Sequence, residues 1–255
     1  MIRLLWQRVA RKGLTAARIV SETASILGRS GPRQALVHLG HTLASVLRQW
    51  ARERQRLPGQ EDAFDQRTGY DTSGIIRVAA LRTVSANWLW GTYYRATDEK
   101  TFTKLMSALD LEWGNFVFVD CGHGKGRVIL MATRFPFNRI EGVEFSPELH
   151  RIAVSNVARL RAASKTIPEI KLFCMDILDY ELPPDPLLLY MFHPFERPVM
   201  ERFRRKVEDD LERKPRPLAV AYVAPRCAEV WDSSHVFVRR LEGPNWKVWL
   251  TWPDE

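Results

Sequence analysis

A short apolar run, Phe116-Val117-Phe118-Val119, ends in Asp120 and passes at once into Cys121-Gly122-His123-Gly124-Lys125-Gly126-Arg127, after which Val128-Ile129-Leu130-Met131 reads as helix. The run is too short for a helix and rich in strand formers. A strand that feeds a helix through alternating glycines narrows the possible folds sharply. Glycine lets the backbone turn tightly and approach a ligand, and the free N–H groups of the helix start favour electron-rich ligand atoms. The spacing is GxGxG with an acid two places before the first glycine. A dinucleotide fingerprint needs GxGxxG, and a phosphate loop needs GxxxxGK followed by Ser or Thr; neither is present. Taken alone, such a loop is equally well read as a plain tight turn.

The rest of the chain repeats the strand-then-helix rhythm. A second strand ends at Gly142-Val143-Glu144, and Ser146-Pro147-Glu148 supplies an N-cap and a first-turn proline for a helix to about Ala162. Further strands are predicted at 169–175, 186–192 and 218–223, with a charged helix at 197–212. Upstream, helices are predicted over 76–88 and 98–110, and the polar stretch 59–75 reads as a linker. Downstream, 235–241 and 246–252 alternate as two strands joined by Glu242-Gly243-Pro244-Asn245. The prediction is an α/β fold: a Rossmann-like seven-stranded sheet, mostly parallel with a C-terminal antiparallel hairpin, plus an N-terminal helical extension.

With these residues in place, the chain resembles the class I (seven-strand) S-adenosylmethionine-dependent methyltransferases, whose first motif is (D/E)xGxGxG at the end of the first strand. The resemblance implies S-adenosyl-L-methionine as cofactor, with Asp120, Gly122, Gly124 and Gly126 forming its loop. Glu144, closing the second strand, would accept the hydrogen bonds of the ribose diol. Asp176 and Ile177, closing the third, would meet the adenine. Each acid taken singly is also an ordinary solvated strand end. Phe64 to Thr72, Gly91-Thr92-Tyr93-Tyr94-Arg95-Ala96-Thr97 and the GKGR stretch further resemble an uncharacterised bacterial group distantly related to the non-SET histone-lysine methyltransferases. In those relatives a Tyr-x-Pro-Thr segment closes over the methionine end. Tyr94 and Thr97 take its places here, with Ala96 instead of the proline.

The fourth strand ends in His193-Pro194-Phe195 where relatives often carry Asn-Pro-Phe. Neutral His193 can accept a hydrogen bond from an amine or remove its proton, or it can simply cap a loop. The catalytic assignment implied is His193 with Tyr94, Tyr94 and Phe195 serving as walls. Trp88, Trp90 and Tyr93 are either acceptor-pocket residues or ordinary core. Lys125 and Arg127 are either exposed first-turn charges or cofactor contacts. The expected activity is N-methylation of a protein or other amine, protein lysine by family analogy. The competing readings are a non-catalytic cofactor-binding module that recruits a partner or membrane, and a nucleic-acid methyltransferase.

Charge divides the chain. Residues 1–56 hold eleven Lys or Arg against Glu22 and Glu53, and the remainder holds 27 bases against 28 acids. Two helices are predicted in this arm, which sets a basic extension over 1–58 apart from a methyltransferase domain over 59–255. The arm either packs on the body or on a second copy, or meets a membrane surface, nucleic acid or an acidic partner. No run in it reaches the ~20 apolar residues of a bilayer span. Cys121, Cys174 and Cys227 form no CxxC pair, so no metal site and no disulfide framework are expected. The expected location is the cytoplasm, with peripheral attachment to a membrane as the variant the arm suggests.

Overall fold

A computed structural model of the chain describes Pro32 and residues 62–252, apart from 79, 80, 82, 86, 88, 89 and 165. Apart from Pro32, the predicted extension over 1–58 lies outside these residues, as does Trp88. In chain order the elements are α1 (Ala63–Thr68), β1 (Ile75–Ile76), β2 (Tyr94–Arg95), α2 (Glu99–Ser107), β3 (Val117–Cys121), α3 (Arg127–Ala132), β4 (Arg139–Glu144), α4 (Pro147–Ala163), β5 (Glu169–Cys174), β6 (Leu187–Phe192), α5 (Arg197–Arg213), β7 (Leu218–Val223), α6 (Ala228–Asp232), β8 (Arg239–Gly243) and β9 (Trp246–Leu250).

Seven strands form one sheet in the order β5-β4-β3-β6-β7-β9-β8. The first five are parallel, and β9 and β8 close the edge as an antiparallel hairpin. The sheet is the α/β arrangement read from the sequence. Residues along β3 and β6 alternate between two apolar layers: Phe118, Leu188 and Tyr190 face one, and Val117, Val119, Leu187 and Leu189 face the other. Helices α2 and α3 cover the first layer, while Val199, Met200, Phe203 and Val207 of α5, with Trp231 of α6, cover the second. Burial on both faces is why these strands read as unbroken apolar runs.

Chain direction across the sheet reverses between β3 and β6: β4 and β5 go out on one side, and β6 and β7 return on the other. In open α/β sheets that switch point, at the carboxyl ends of the strands, is where a crevice opens. The glycine loop leaves β3 at this point.

Local signals fix most boundaries. Ser146 Oγ accepts from Leu149 N and caps α4, with Pro147 in its first turn. Three expectations need correction. Residues 59–75 are no simple linker: Asp62 caps α1 through Phe64 N, Gly69 ends it at φ +72°, and Phe64 is buried. The helix predicted over 76–88 is absent among the described residues, where β1 instead pairs with β2, Ile75 opposite Arg95 and Ile76 opposite Tyr94. The apolar spacing there serves a cavity wall rather than a helix face. Finally, the strand predicted from His235 begins only at Arg239, and α6, unanticipated, precedes it. Among the described residues no helix is long and apolar enough to cross a membrane.

Candidate functional site

The loop after β3 depends on its glycines for two reasons. Gly122 and Gly124 have φ of +93° and +53°, where side chains are strained. Their neighbours also leave no room. A Cβ on Gly122 would sit 2.8 Å from Pro194 Cβ, and one on Gly124 would sit 2.2 Å from Tyr94 Cε2. Tyr94 therefore lies directly on the loop, and its hydroxyl donates to the Thr72 carbonyl. Gly124→Ala is expected to cost about 2 to 4 kcal/mol, from left-handed strain plus overpacking. Because only the overpacking depends on Tyr94, thermal denaturation of Gly124→Ala, Tyr94→Ala and the double variant should show a coupling of about 1 kcal/mol or more.

His123 fits because β4 makes room for it. A Cβ on Gly142 would lie 2.9 Å from His123 Cδ2. Nδ1 of His123 is 2.9 Å from the Gly124 carbonyl, which requires it to donate, so Nε2 accepts from His150 Nδ1 at 3.3 Å. Burial and the neighbouring His150 hold its pKa down at about 3, so it stays neutral.

Three carboxyls line the cavity beside the loop. Glu144 is 4% exposed; its Oε2 accepts from Gly124 N at 2.9 Å and its Oε1 from Ser146 N at 2.8 Å. Burial pushes its pKa up to about 7. Asp176 accepts from Ser85 Oγ, from Asn87 Nδ2 at 2.7 Å and from Leu178 N at 2.8 Å. Asp120 is the exception. It is 3% exposed, and no described residue hydrogen-bonds or ion-pairs with its carboxyl. Burial, then the charge of Glu144, raises its pKa well above the ordinary range.

One cavity gathers most of the expected residues: Asp120, Gly122, Glu144, Asp176, Ile177, Tyr94 and Thr97 line it. Gly124 and Gly126 shape the loop behind it without lining it. Thr97 is buried, 3.0 Å from the hydroxyl of Tyr190 on β6. Tyr93, Phe192, Pro194 and Phe195 line it as well.

The imidazole of His193 does not line this cavity. A φ of +39° turns it the other way, parallel to the ring of Tyr222, with Nδ1 2.5 Å from the Tyr222 hydroxyl. Burial, with Arg226 nearby, lowers its pKa to about 4, and Nε2 has no hydrogen-bond partner among the described residues. His193 reaches the cavity wall through its main chain: its carbonyl accepts from Thr92 Oγ1, and Pro194 and Phe195 follow it.

Lys125 and Arg127 are neither exposed charges nor, in Lys125, a cavity residue; they clamp the segment before β1. Lys125 Nζ pairs with Asp71 at 2.6 Å and donates to the Ser73 carbonyl at 2.8 Å. Arg127 pairs with Asp62 at 2.7 Å and Asp65 at 3.2 Å, donates from Nε to Thr72 Oγ1 at 2.7 Å, and stacks 4.7 Å over Phe64. Asn156 of α4 ties that segment to the loop, donating to the carbonyls of Asp71 and Lys125. Sequence reasoning missed Asp62, Asp65, Thr72, Ser85, Asn87 and Asn156 as parts of this assembly.

No family model and no curated protein matches the chain. Solved structures resemble it in fold. An RNA methyltransferase from Salinibacter ruber, in complex with S-adenosyl-L-homocysteine, is 18% identical with a TM-score of 0.42 over 61% of this chain and 91% of its own. A putative RNA methyltransferase from Pyrococcus horikoshii is 17% identical with a TM-score of 0.44, over 68% and 92%. A SAM-dependent O-methyltransferase from Thermotoga maritima is 14% identical with a TM-score of 0.46, over 62% and 66%.

Proposed function

We propose that the chain is an enzyme, an S-adenosylmethionine-dependent methyltransferase. Asp120 carries this reading: a buried carboxyl without a partner among the described residues, on a cavity it shares with Glu144 and Asp176, is a site for a cation. Nucleotides that present phosphates to a glycine loop would meet Asp120 and Glu144 there and be repelled. S-adenosylmethionine instead brings a sulfonium and an ammonium, with a nucleoside for the remaining acids. When bound it supplies an activated methyl group. Gly122 leaves backbone open to it, Glu144 is placed for the ribose hydroxyls, and Asp176 with Ile177 for the purine. Tyr94 and Thr97 cover the end nearest Asp120 and exclude water, which is most of what such a transfer asks of a protein.

The finer reading, N-methylation of an amine such as protein lysine, draws on the family resemblance, and the site offers it little. Beyond the three acids given to the cofactor, the cavity has no carboxylate among its described lining residues to receive an ammonium. His193 is proposed to act by position, its turn setting Pro194 and Phe195 against the acceptor. Tritiated methyl transfer into cell extract fractionated into protein, lipid, nucleic acid and small molecules tests the activity. Binding without transfer in every fraction would instead favour a non-catalytic module.

Glu144 gives the reading a pH signature. The ligand favours the carboxylate, which forms as pH rises through about 7, so affinity for S-adenosylmethionine should increase between about pH 6 and 8, by up to roughly tenfold. Calorimetry in buffers of different ionisation enthalpy should show proton release on binding at pH 7. A flat profile would separate Glu144 from the ligand.

A further inference from the structure

Charged residues on α5 fall into two sets. Arg197 pairs with Glu201 and Glu229, and Arg204 with Glu208 at 2.6 Å. On another face, Arg202, Arg205 and Lys206 follow one another at i, i+3 and i+4 with no carboxylate partner among the described residues. Arg202 donates to Asn87 Oδ1 at 3.1 Å, Arg205 to the Glu201 carbonyl, and Lys206 to the Leu178 carbonyl at 2.9 Å. Arg213, two turns on, comes no nearer to Asp210 than 3.9 Å. These four cations, with Leu178 and the single acid Asp209, line an open cleft. Like charges at such spacing repel each other, so the cleft is matched to an anion with repeated charges.

The cleft and the cavity share a wall. Asn87 accepts from Arg202 on one side and donates to Asp176 on the other, and Asn87 and Asp176 both line the cavity. Also on the cavity, Arg95 lies 4.9 Å over the Phe192 ring, again with no carboxylate partner among the described residues, and Tyr93 and Phe195 line the same cavity. Aromatic faces with a stacked guanidinium are what an unstacked base rests on, and a cationic groove is what its backbone follows. A membrane surface would call for an apolar face, and among the described residues Leu178 is the only apolar one lining the cleft. We infer that the α5 cleft is a docking surface for the phosphodiester backbone of a nucleic acid whose base is the methyl acceptor. This deepens the methyltransferase reading and rests on it.

Binding is tested without turnover, on the full chain, by anisotropy of a labelled single-stranded RNA of roughly 20 nucleotides, longer than the ~4 to 16 one site covers, and of the DNA of the same sequence. The tighter of the two identifies the source of the backbone. Replacing Arg205, Lys206 and Arg213 together by Ala should weaken binding about tenfold or more and lower the slope of log K against log salt by about 2, at ~0.7 per phosphate. The same change at Lys100, Lys104 and Arg151, exposed cations elsewhere, should leave the slope nearly unchanged. Equal losses in both variants, or none in either, would overturn the inference. So would displacement of the RNA by polyglutamate of equal charge, or a loss confined to binding of phosphatidylserine vesicles. Calorimetry with S-adenosylmethionine on the same proteins reports separately on the cofactor site. RNA binding that depends on the cleft, without cofactor binding, would keep the docking surface and refute the methyltransferase reading.

Discussion

Asp120→Asn is expected to make the protein more stable and nearly unable to bind S-adenosylmethionine. The carboxyl is buried, has no hydrogen bond or counter-ion among the described residues, and lies near Glu144. Its raised pKa means that the folded chain holds a proton the unfolded chain releases, so this group's contribution to stability falls as pH rises above the ordinary carboxylate range. An amide of the same shape removes that cost. In protein without ligand the gain should be about 1 to 3 kcal/mol, or roughly 2 to 12 °C in Tm, larger at pH 8 than at pH 6. Binding should move the opposite way. Losing a buried charge partner costs about 3 to 5 kcal/mol, a fall of at least ~100-fold in affinity. Thermal melts with and without S-adenosylmethionine, together with calorimetry, read both effects. A variant that melts lower and still binds would show that Asp120 is a structural residue and that the site has been misread. Glu144 follows the same rule more mildly. Its folded pKa of about 7 lies above the ordinary glutamate value of 4.5, so its contribution falls as pH rises from about 4.5 to 7.

What the sequence made legible was whatever local spacing encodes. Strands buried on both faces appear as apolar runs, so β3, β6 and β7 were placed to within a residue or so, and alternation with helices gave the sheet. Asp120, Glu144 and Asp176 could be expected to share one cavity because each lies at or just beyond the carboxyl end of a strand, and parallel strands bring those ends together. Side-chain direction was not legible. His193 occupies the expected strand end, but its partner Tyr222 lies on the next strand, and the positive φ that turns the ring toward it has no signature in a His-Pro pair. The wall between β1 and β2 was hidden for a different reason. Ile75, Ile76, Val78 and Leu81 have the apolar content of a helix face, yet the first two pair with β2 and the last two line the cavity. Tertiary burial overrode local periodicity there.

The clamp at Lys125 and Arg127 was the least legible feature and yields the second large prediction. Its acids lie 54 to 65 residues upstream, in a polar stretch with no periodicity. The geometry leaves Arg127 little freedom: one guanidinium pairs with two carboxylates, donates to Thr72 and covers Phe64. Arg127→Ala would leave Asp65 facing a cavity, held only by Thr72 and Ser73. It should cost about 3 to 5 kcal/mol, the usual penalty for breaking a buried pair from one side. Arg127→Lys should recover little, because an ammonium can neither span both acids nor stack on the ring. The damage should also reach the cofactor. Thr72, held by Arg127, receives the Tyr94 hydroxyl through its carbonyl, and Tyr94 covers Gly124. Loosening the clamp therefore frees the wall over the loop, and S-adenosylmethionine affinity should fall together with protection of residues 62–73 against amide exchange. Were Arg127→Ala to lose stability while keeping both full affinity and full protection, the clamp would be a foundation of the fold alone, and the cover over the glycine loop would have to be anchored elsewhere.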